Sequence, residues 1–330
     1  MKRTNRHVYG VLFSLALLVL LSCAAGQPLK ENSMNSQKLT AGDHRYRITV
    51  DGREREYLVY LPPAYDGRNP VPVVIMFHGG GGTARAAARE TRWSRKADKE
   101  NFLMVFPEGS RPDPSKPADF RTNGQTWADG SSRFNSEVDD VGYIRAMIDD
   151  LKTHFNLDDK RIHATGFSNG ASMTYRVAYE LSDTIASAAP VSGALWLEGQ
   201  GPKRPVPILY ITGDSDPLNP LEGGYPRLLI GGRALGGRKK PPVMGQLEKW
   251  ADWLSCANTG RVVSDQNGVK KTVWGGCAEN SEVIYYVVQG MGHTWPGGIS
   301  LLPEEWVGPR TDKMSANDII WEFFGKHPKR

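Results

Sequence analysis

Residues 166–170 read Gly-Phe-Ser-Asn-Gly, which is the pattern G-x-S-x-G. The apolar run before them, residues 162–165, predicts a strand, and residues 171–181 predict a helix. Between a strand and a helix, two glycines allow a tight, strained turn that exposes the serine hydroxyl. The helix N-terminus adds backbone N–H groups and positive potential. The motif therefore predicts Ser168 as the nucleophile of an acyl-transfer reaction, and the alternative is a turn of small residues.

A serine hydroxyl needs a base that removes its proton. The chain has seven histidines. His293 stands out because it lies in a glycine-rich segment, residues 290–298, directly after a predicted strand at residues 282–288. Glycines let a backbone bring an imidazole close to another loop. We predict that His293 is the base, and the alternative is a histidine packed within its own loop.

The base in turn needs an acid that fixes its tautomer. Asp214 and Asp216 both follow a predicted strand at residues 207–211. Either carboxylate could orient His293, and either could cap a turn. The order serine, aspartate, histidine along the chain is that of the α/β-hydrolases.

The oxyanion of an acyl-transfer intermediate needs two N–H donors. A histidine followed by four glycines occupies residues 78–82, directly after the apolar strand predicted at residues 71–77. This HGGG-type segment predicts one donor at Gly80, with Gly81 as the next candidate, and the second donor is the backbone N–H of Asn169. The alternative is a flexible glycine turn.

Other side chains carry weaker signals. Trp127, Trp295 and Trp196 are candidates for an acyl or aromatic subsite, although aromatic residues more often belong to a core. The acidic pair at residues 139–140 precedes a helix, so we interpret it as structural. The sequence contains no recognisable metal-binding motif and no P-loop lysine, and we predict that no cofactor is required.

Strands and helices alternate along the chain. The hydrophobic pattern predicts strands at residues 44–50, 56–60, 71–77, 102–106, 162–165, 186–191, 207–211 and 282–288. It predicts helices at residues 141–155, 171–181 and 243–254, and a last helix that Ser315 caps. This alternation predicts a parallel sheet with helices on both faces. Two long Gly/Pro-rich stretches, residues 111–133 and 223–242, are expected to be functional loops.

The composition excludes several classes of protein. The chain has 330 residues, of which 39% are hydrophobic and 23% are charged, and this is the composition of a globular protein. The net charge of +5 and the isoelectric point of about 9.0 could indicate a nucleic-acid-binding protein. Without Lys2, Arg3 and Arg6 near the N-terminus, the net charge falls to +2. We therefore predict no nucleic-acid partner.

The N-terminus has the features of an export signal. Three basic residues precede an apolar run of 11 residues at positions 11–21. A membrane-spanning helix needs about 20 apolar residues, so a cleaved signal is favoured. The run ends in Leu-Leu-Ser-Cys, which resembles a bacterial lipoprotein signal with Cys23 as the lipidated residue, and ordinary cleavage near Ala24 or Ala25 is the alternative. We predict an exported protein, extracellular or periplasmic, that contacts a bacterial membrane only through this lipid anchor.

The cysteines agree with export. If Cys23 is lipidated or removed, Cys256 and Cys277 remain, and an exported protein can join them in a disulfide. Two free thiols are the alternative. A zinc site is disfavoured because two cysteines lack further ligands at metal-binding spacing.

The motifs together resemble a known family. Residues 77–82, 138–143, 166–170, 213–217 and 292–297 occur in the order found in polyhydroxybutyrate depolymerase-like esterases, which are similar to feruloyl and acetylxylan esterases. The resemblance covers about residues 44–325 and implies an α/β-hydrolase fold. It also implies that the acid is the aspartate three residues after a glycine and before a proline. Asp216 fits that pattern and Asp214 does not, and the two late cysteines also fit the family.

The sequence departs from the family at several positions. Thr212 replaces a common histidine, and Glu108 stands where aspartate is frequent. Gly80 stands where polymer-degrading members often have cysteine, and no polymer-binding domain follows the catalytic region. Because of the last two features, soluble esters or ester decorations of plant polysaccharide are at least as well supported as substrates as solid polyester is.

These observations predict three regions: a signal peptide at residues 1–23, a polar linker at 24–43 and an α/β-hydrolase catalytic domain at 44–330. The predicted activity is hydrolysis of carboxylic esters through an acyl-enzyme. The ester is a small molecule, an oligomer or a group linked to a polysaccharide, and hydroxyalkanoate, feruloyl and acetyl esters all remain open. The alternatives are an acyltransferase or a peptidase on the same fold, or a catalytically idle carbohydrate-binding module.

Overall fold

The computed structural model describes residues 40–330 except for residues 121, 133–136, 228, 231–232, 235–237 and 258. The predicted signal peptide, Cys23 and most of the 24–43 linker therefore lie outside the described residues. The predictions on export, lipidation and the linker stay predictions.

The described residues form one large sheet and one short hairpin. The strands are β1 Gly42–Val50, β2 Arg53–Leu61, β3 Val71–Phe77, β4 Leu103–Pro107, β5 Leu157–Phe167, β6 Ala188–Val191, β7 Ile208–Gly213, β8 Leu229–Ile230, β9 Arg233–Ala234, β10 Arg261–Gln266, β11 Val269–Trp274 and β12 Val283–Val288. The large sheet has the order β1-β2-β4-β3-β5-β6-β7-β12-β11-β10, and β8 pairs with β9 separately.

The centre of the large sheet is parallel. Strands β4, β3, β5, β6, β7 and β12 pair in parallel with their neighbours. Antiparallel strands extend both edges, β2 and β1 on one side and β11 and β10 on the other. The predicted α/β class with a mostly parallel sheet is confirmed. The β10–β11 hairpin was not predicted, although the Asn267-Gly268 dipeptide between its strands is a strong hairpin signal.

Helices cover both faces of the sheet. The helices are α1 Ala84–Thr91, α2 Trp93–Glu100, α3 Asp140–His154, α4 Asn169–Glu180, α5 Val243–Trp253, α6 Glu304–Val307 and α7 Ala316–Lys326, with a 3₁₀ turn at Ala278–Asn280. Ser315 caps α7 as predicted, because its hydroxyl accepts a hydrogen bond from the Asp318 N–H at 3.3 Å. Within the described part of the chain, no helix combines the length and the apolar character needed to cross a bilayer.

The core lies on both sides of strand β3, whose seven residues are all buried. Side chains alternate along a strand, so successive residues enter different layers. Val73, Ile75 and Phe77 pack in the layer that contains buried residues of α3, α4 and α5. Val74 and Met76 pack in the layer that contains those of α1, α2 and α7. Because β3 lies between the two layers, the glycine segment that follows it begins in the middle of the molecule.

The acidic pair before α3 is structural, as predicted. Asp139 caps the helix by accepting a hydrogen bond from the Gly142 N–H at 2.8 Å. Asp140 is fully buried and forms an ion pair of 2.7 Å with Arg55 on β2. Its second oxygen accepts a hydrogen bond from the Ala128 N–H at 2.8 Å. Asp140 therefore connects α3 to β2 and to the loop before α3 that contains Ala128.

A disulfide joins Cys256 and Cys277, which are 21 residues apart in the sequence. It closes the segment that contains the β10–β11 hairpin at the edge of the sheet. In the chain-entropy account, a loop of this size gains about 3 kcal/mol of stability from the bond.

Two buried histidines are expected to make the fold sensitive to acid. Burial lowers the pKa of His78 from 6.5 to about 4 and that of His163 from 6.5 to about 3. Below pH 6.5 the unfolded chain binds a proton at each imidazole and the folded chain does not. Their contribution to stability is therefore complete above pH 6.5 and is lost as the pH falls, at about 1.4 kcal/mol per pH unit for each histidine.

The substitution His163→Asn tests this expectation, because the asparagine amide takes the place of Nδ1 and can keep the hydrogen bond of 2.8 Å to Ser187 without titrating. Urea unfolding between pH 6.5 and 4.5 should show that the variant loses about 1.4 kcal/mol per pH unit less than the wild type. Equal slopes for the two proteins would show that His163 takes up its proton in the folded state.

Candidate active site

The turn between β5 and α4 presents Ser168 in a strained conformation. Its φ of 57° and ψ of −119° lie in a region that residues with a side chain rarely adopt. A Cβ on Gly166 would lie 2.3 Å from the Gly170 oxygen, and a Cβ on Gly170 would lie 2.2 Å from the Phe77 oxygen. Neither contact is possible, so both glycines of the motif are required by the close approach of β5, α4 and β3. Ser168 is half-buried at the start of the helix.

His293 and Asp216 form a buried pair. His293 lies in the loop after β12, Asp216 lies in the loop after β7, and each residue is 4% exposed. The distance between His293 Nδ1 and Asp216 Oδ2 is 2.8 Å. Strands β7 and β12 are parallel neighbours, so the loops after them emerge side by side. The sheet therefore brings together two side chains that are 77 residues apart.

The surroundings of Asp216 favour its charged form. Its Oδ1 accepts hydrogen bonds of 2.8 Å from the backbone N–H groups of Leu218 and Asn219. Burial acts to raise the pKa of Asp216, but the charge and the hydrogen bond of His293, the nearby Lys240 and the Asn219 amide lower it overall. A carboxylate at Nδ1 assigns the proton of neutral His293 to that nitrogen, and this leaves Nε2 as a proton acceptor.

Asp214, the alternative acid, has a different position. Its Oδ1 accepts a hydrogen bond of 2.7 Å from the Gly290 N–H, at the beginning of the loop that carries His293. In the structure it is Asp216, and not Asp214, that contacts His293. Asp214 instead fixes the point at which the loop leaves β12.

The imidazole of His293 lies next to the serine turn. Its ring centroid is 4.7 Å from that of Phe167, the residue before Ser168. The backbone of the His293 loop is also anchored, because the His293 N–H donates to the Val307 oxygen at 2.5 Å. The structure therefore gathers the loops of Ser168, Asp216 and His293 at the carboxyl ends of β5, β7 and β12.

The glycine segment after β3 runs beside this turn. A Cβ on Gly79 would lie 3.5 Å from Ser168 Cβ, and one on Gly80 would lie 3.5 Å from Asn169 Cβ. The Gly80 N–H makes no hydrogen bond to any residue that the structure describes. Gly81 is a correction to the predicted donors, because its N–H donates to the Gln125 oxygen at 2.7 Å and is not available to a substrate.

His78 holds the glycine segment in place. Its Nδ1 lies 2.8 Å from the Gly79 oxygen, and its Nε2 accepts a hydrogen bond of 3.0 Å from the Gly109 N–H. The His78 oxygen accepts a hydrogen bond of 3.0 Å from Trp127 Nε1. Because burial keeps its pKa near 4, the ring is neutral and can donate from one nitrogen while it accepts at the other.

The two tryptophans predicted to bind substrate belong to the core, and this is a second correction. Trp127 is 0% exposed and Trp295 is 1% exposed. Trp295 donates from Nε1 to Asn317 Oδ1 at 2.8 Å, on the side of α7. Their indole N–H groups have internal partners, as buried tryptophans usually do. Trp196 is half-exposed, with the Arg238 guanidinium 5.1 Å from its ring centroid.

The side chain of Asn169 makes contacts beside the serine turn that the sequence does not indicate. Its Nδ2 donates to Asp129 Oδ2 at 2.7 Å, and its Oδ1 accepts from the Trp127 N–H at 2.8 Å. These bonds fix the first residue of α4, whose backbone N–H is one of the unpaired donors at a helix start. The partners are about 40 residues away along the chain, so no local pattern indicates them.

Glu108 is a second residue whose side chain joins segments around the site that are distant along the chain. Its Oε2 accepts hydrogen bonds from the Ala84 N–H at 3.0 Å and from Gln125 Nε2 at 2.6 Å. Burial raises its pKa, although these two hydrogen bonds oppose the rise. Glu108 thereby joins the start of α1 to the loop that covers the glycine segment. Among the residues described, no group of three or more His, Cys, Asp or Glu side chains could hold a metal ion.

The mostly parallel sheet with helices on both faces, the strained serine turn and the His–Asp pair are features of the α/β-hydrolase fold. The phospholipase/carboxylesterase family matches residues 65–226. Among solved structures, native pOPH matches with a TM-score of 0.56 and 16% identity, covering 89% of this chain and 90% of pOPH. The acetyl xylan esterase from Aspergillus awamori matches with a TM-score of 0.55 and 14% identity, covering 86% of this chain and 99% of that one.

Two curated proteins extend the comparison. NocK of Nocardia uniformis subsp. tsuyamanensis, a provisionally named esterase, is 27% identical over 294 residues, which are 84% of this chain and 80% of NocK. Feruloyl esterase B of Piromyces equi is 27% identical over 247 residues, which are 72% of this chain and 42% of that enzyme. The resemblance to feruloyl and acetylxylan esterases is confirmed: the chain has the α/β-hydrolase fold, and its relatives are esterases.

Proposed function

We propose that the protein is a serine esterase that hydrolyses carboxylic esters through an acyl-enzyme. The observation that carries the proposal is the buried His293–Asp216 pair, joined at 2.8 Å, beside the strained turn that presents Ser168. A nucleophile, a base and an acid in these roles are the requirements for activating a serine hydroxyl. The esterase names of the relatives support the same reaction.

In the first half of the reaction, the Ser168 oxygen attacks the ester carbonyl while His293 Nε2 takes the hydroxyl proton. The carbonyl oxygen becomes an oxyanion, which the N–H groups of Gly80 and Asn169 stabilise. His293 then gives its proton to the alcohol as the bond between the carbonyl carbon and the alcohol oxygen breaks. Each oxyanion donor should contribute about 3–4 kcal/mol to the transition state.

In the second half of the reaction, water attacks the carbonyl carbon of the acyl-enzyme, and His293 takes a proton from this water. The tetrahedral intermediate collapses, the acid leaves, and Ser168 recovers its proton from His293. Asp216 stays ionised throughout and stabilises the imidazolium that forms twice in each cycle. No step in this sequence calls for a cofactor.

We also propose that the protein is exported and held at a bacterial membrane by a lipid on Cys23. The charged and apolar leader supports export, and the Cys256–Cys277 disulfide is typical of an oxidising compartment. The proposed substrates are feruloyl or acetyl esters of plant polysaccharide and hydroxyalkanoate esters.

Labelling with a fluorophosphonate probe tests the mechanism, because the probe reacts with an activated serine. Mass spectrometry of the labelled peptide should place one phosphonyl group on Ser168. A protein that stays unlabelled, or that is labelled at another serine, would contradict the proposal. Comparison of kcat/KM for methyl ferulate, acetylated xylan, short p-nitrophenyl esters and 3-hydroxybutyrate oligomers then ranks the acyl groups.

A further inference from the structure

Lys240 lies behind the turn that carries Asp216, on the other side of Asn219. Its Nζ donates a hydrogen bond to Asn219 Oδ1 at 3.0 Å. Asn219 is 1% exposed, and its backbone N–H donates to Asp216 Oδ1 at 2.8 Å. Because both bonds meet in one residue, the ammonium of Lys240 lies within about 10 Å of the Asp216 carboxylate.

The side chain of Asn219 has a fixed orientation. Its Nδ2 donates to the Tyr210 hydroxyl at 2.8 Å, and that hydroxyl donates to the Gly193 oxygen at 2.7 Å. Tyr210 belongs to β7 and is 1% exposed. Since the amide nitrogen is held on the side of the sheet, the amide oxygen faces Lys240.

The backbone at Lys240 is held as firmly. Lys240 and Gly224 exchange backbone hydrogen bonds of 2.8 and 2.9 Å. A Cβ on Gly223 would lie 2.6 Å from the Lys240 oxygen, so the two segments approach too closely for a side chain there. From α5, Gln246 Nε2 donates to the Pro241 oxygen at 2.9 Å. The position of the Lys240 charge is therefore set by the fold.

Lys240 is half-buried, and this distinguishes it from the other charged groups on the segments around the His293–Asp216 pair. On its own side of the pair, the exposed charges belong to Glu222, Arg227, Arg238 and Lys239. On the loops that follow β7 and β12, they belong to Asp214, Glu304, Glu305 and Arg310. His78, beside the serine turn, is neutral, and burial raises the pKa of Tyr210, which is also uncharged. Water and salt screen exposed charges more than buried ones, so Lys240 acts on the pair more strongly than these exposed groups do.

We infer that Lys240 is a positioning residue of the catalytic acid, which holds Asn219 against Asp216 and extends the activity of the enzyme to lower pH through its positive charge. This inference rests on the proposed esterase function. The ammonium opposes the positive charge that His293 gains when it binds a proton. His293 therefore stays available as a base at a lower pH than it would beside a neutral side chain.

The substitution Lys240→Met tests the inference, because it keeps the length of the side chain and removes the charge. The measurement is kcat/KM for p-nitrophenyl acetate as a function of pH, at constant low ionic strength. The acid limb of this profile reports the protonation of the base in the free enzyme. It should move to higher pH by about half a unit in the variant, and by less in about 1 M salt. An acid limb that stays in place would overturn the inference.

Two further variants separate the charge from the hydrogen bond. Lys240→Gln can still donate to Asn219 Oδ1 but is neutral, so its acid limb should move as in Lys240→Met. Lys240→Arg keeps the charge and should leave the limb within about 0.2 pH units of the wild type. A glutamine variant that matches the wild type, or an arginine variant that matches Lys240→Met, would show that the charge does not act. The glutamine variant also keeps the test decisive if Lys240→Met does not fold.

The matched control is Lys239→Met, which removes the exposed charge of the neighbouring residue. Its acid limb should stay within about 0.1 pH units of the wild type, because solvent screens that charge. An equal shift in this variant would mean that the net charge of the loop acts and would overturn a specific role of Lys240. Coinciding profiles in a wild type and variants that all hydrolyse the ester overturn the inference alone. A wild type that hydrolyses no ester overturns the proposed function, and the inference with it.

Discussion

Ser168→Ala is expected to lower kcat for ester hydrolysis by about 10⁶-fold, because a serine triad acts as a unit and loses its function with its nucleophile. The free energy of unfolding should change little or rise, since alanine removes only the hydroxyl and leaves the backbone turn in place. Steady-state rates on a p-nitrophenyl ester check the first expectation, and urea unfolding checks the second. Activity above about one per cent of the wild type would place the nucleophile on another residue.

The matched control is Ser172→Ala, one helical turn further along α4. The Ser172 hydroxyl accepts a hydrogen bond of 3.1 Å from the Ala194 N–H, so its removal costs about 1 kcal/mol of stability. The rate should stay within about tenfold of the wild type, because no proposed step uses this hydroxyl. A loss in Ser172→Ala as large as that in Ser168→Ala would indicate that the assay reports folding instead of chemistry.

The sequence indicates the central part of the fold because its strands are short, apolar and fully buried. The strand predicted at residues 71–77 matches β3, and the long helix predicted at 141–155 matches α3 to within a residue. Helices α1 and α2 were not predicted, since they are short and are rich in charged residues. Tertiary packing of a few side chains such as Trp93 stabilises them, and local periodicity does not show this packing.

The loops of the site were predictable for a reason of topology. Parallel strands end at the same edge of a sheet, so chemistry-bearing residues directly after several strands meet there. This argument requires only the positions of Ser168, Asp216 and His293 relative to their strands. The burial of Trp127 could not be predicted in the same way, because this residue lies within the long 111–133 loop and not directly after a strand. Whether its ring is buried depends on contacts with distant residues such as His78.

The same limit applies to the oxyanion donors. A run of four glycines allows several backbone conformations, and the sequence does not state which N–H groups the fold already uses. The structure separates the two candidates through the bond from Gly81 N–H to the Gln125 oxygen, 44 residues further along the chain. The choice between Asp214 and Asp216 came from the family resemblance, because both residues follow the same strand.

Asp216→Asn is expected to lower kcat by about 10⁴-fold while leaving the fold intact. The asparagine amide would present an N–H donor to His293 Nδ1, so the imidazole would be held with its proton on Nε2, facing Ser168, and could not act as a base. It would also lack the charge that stabilises the imidazolium. Steady-state kinetics at neutral pH measure the loss, and the unfolding transition should remain cooperative.

Asp214→Asn separates this effect from the loss of a charge in the same turn. Asp214 holds the Gly290 N–H, and asparagine can still accept that hydrogen bond through its amide oxygen. The rate of this variant should therefore stay within about tenfold of the wild type. Equal losses of activity in the two variants would indicate that both substitutions act by changing the shape of the turn, and not through the contact between Asp216 and His293. If Asp214→Asn lost more, the contact of 2.8 Å between Asp216 and His293 would not be the one that orients the base.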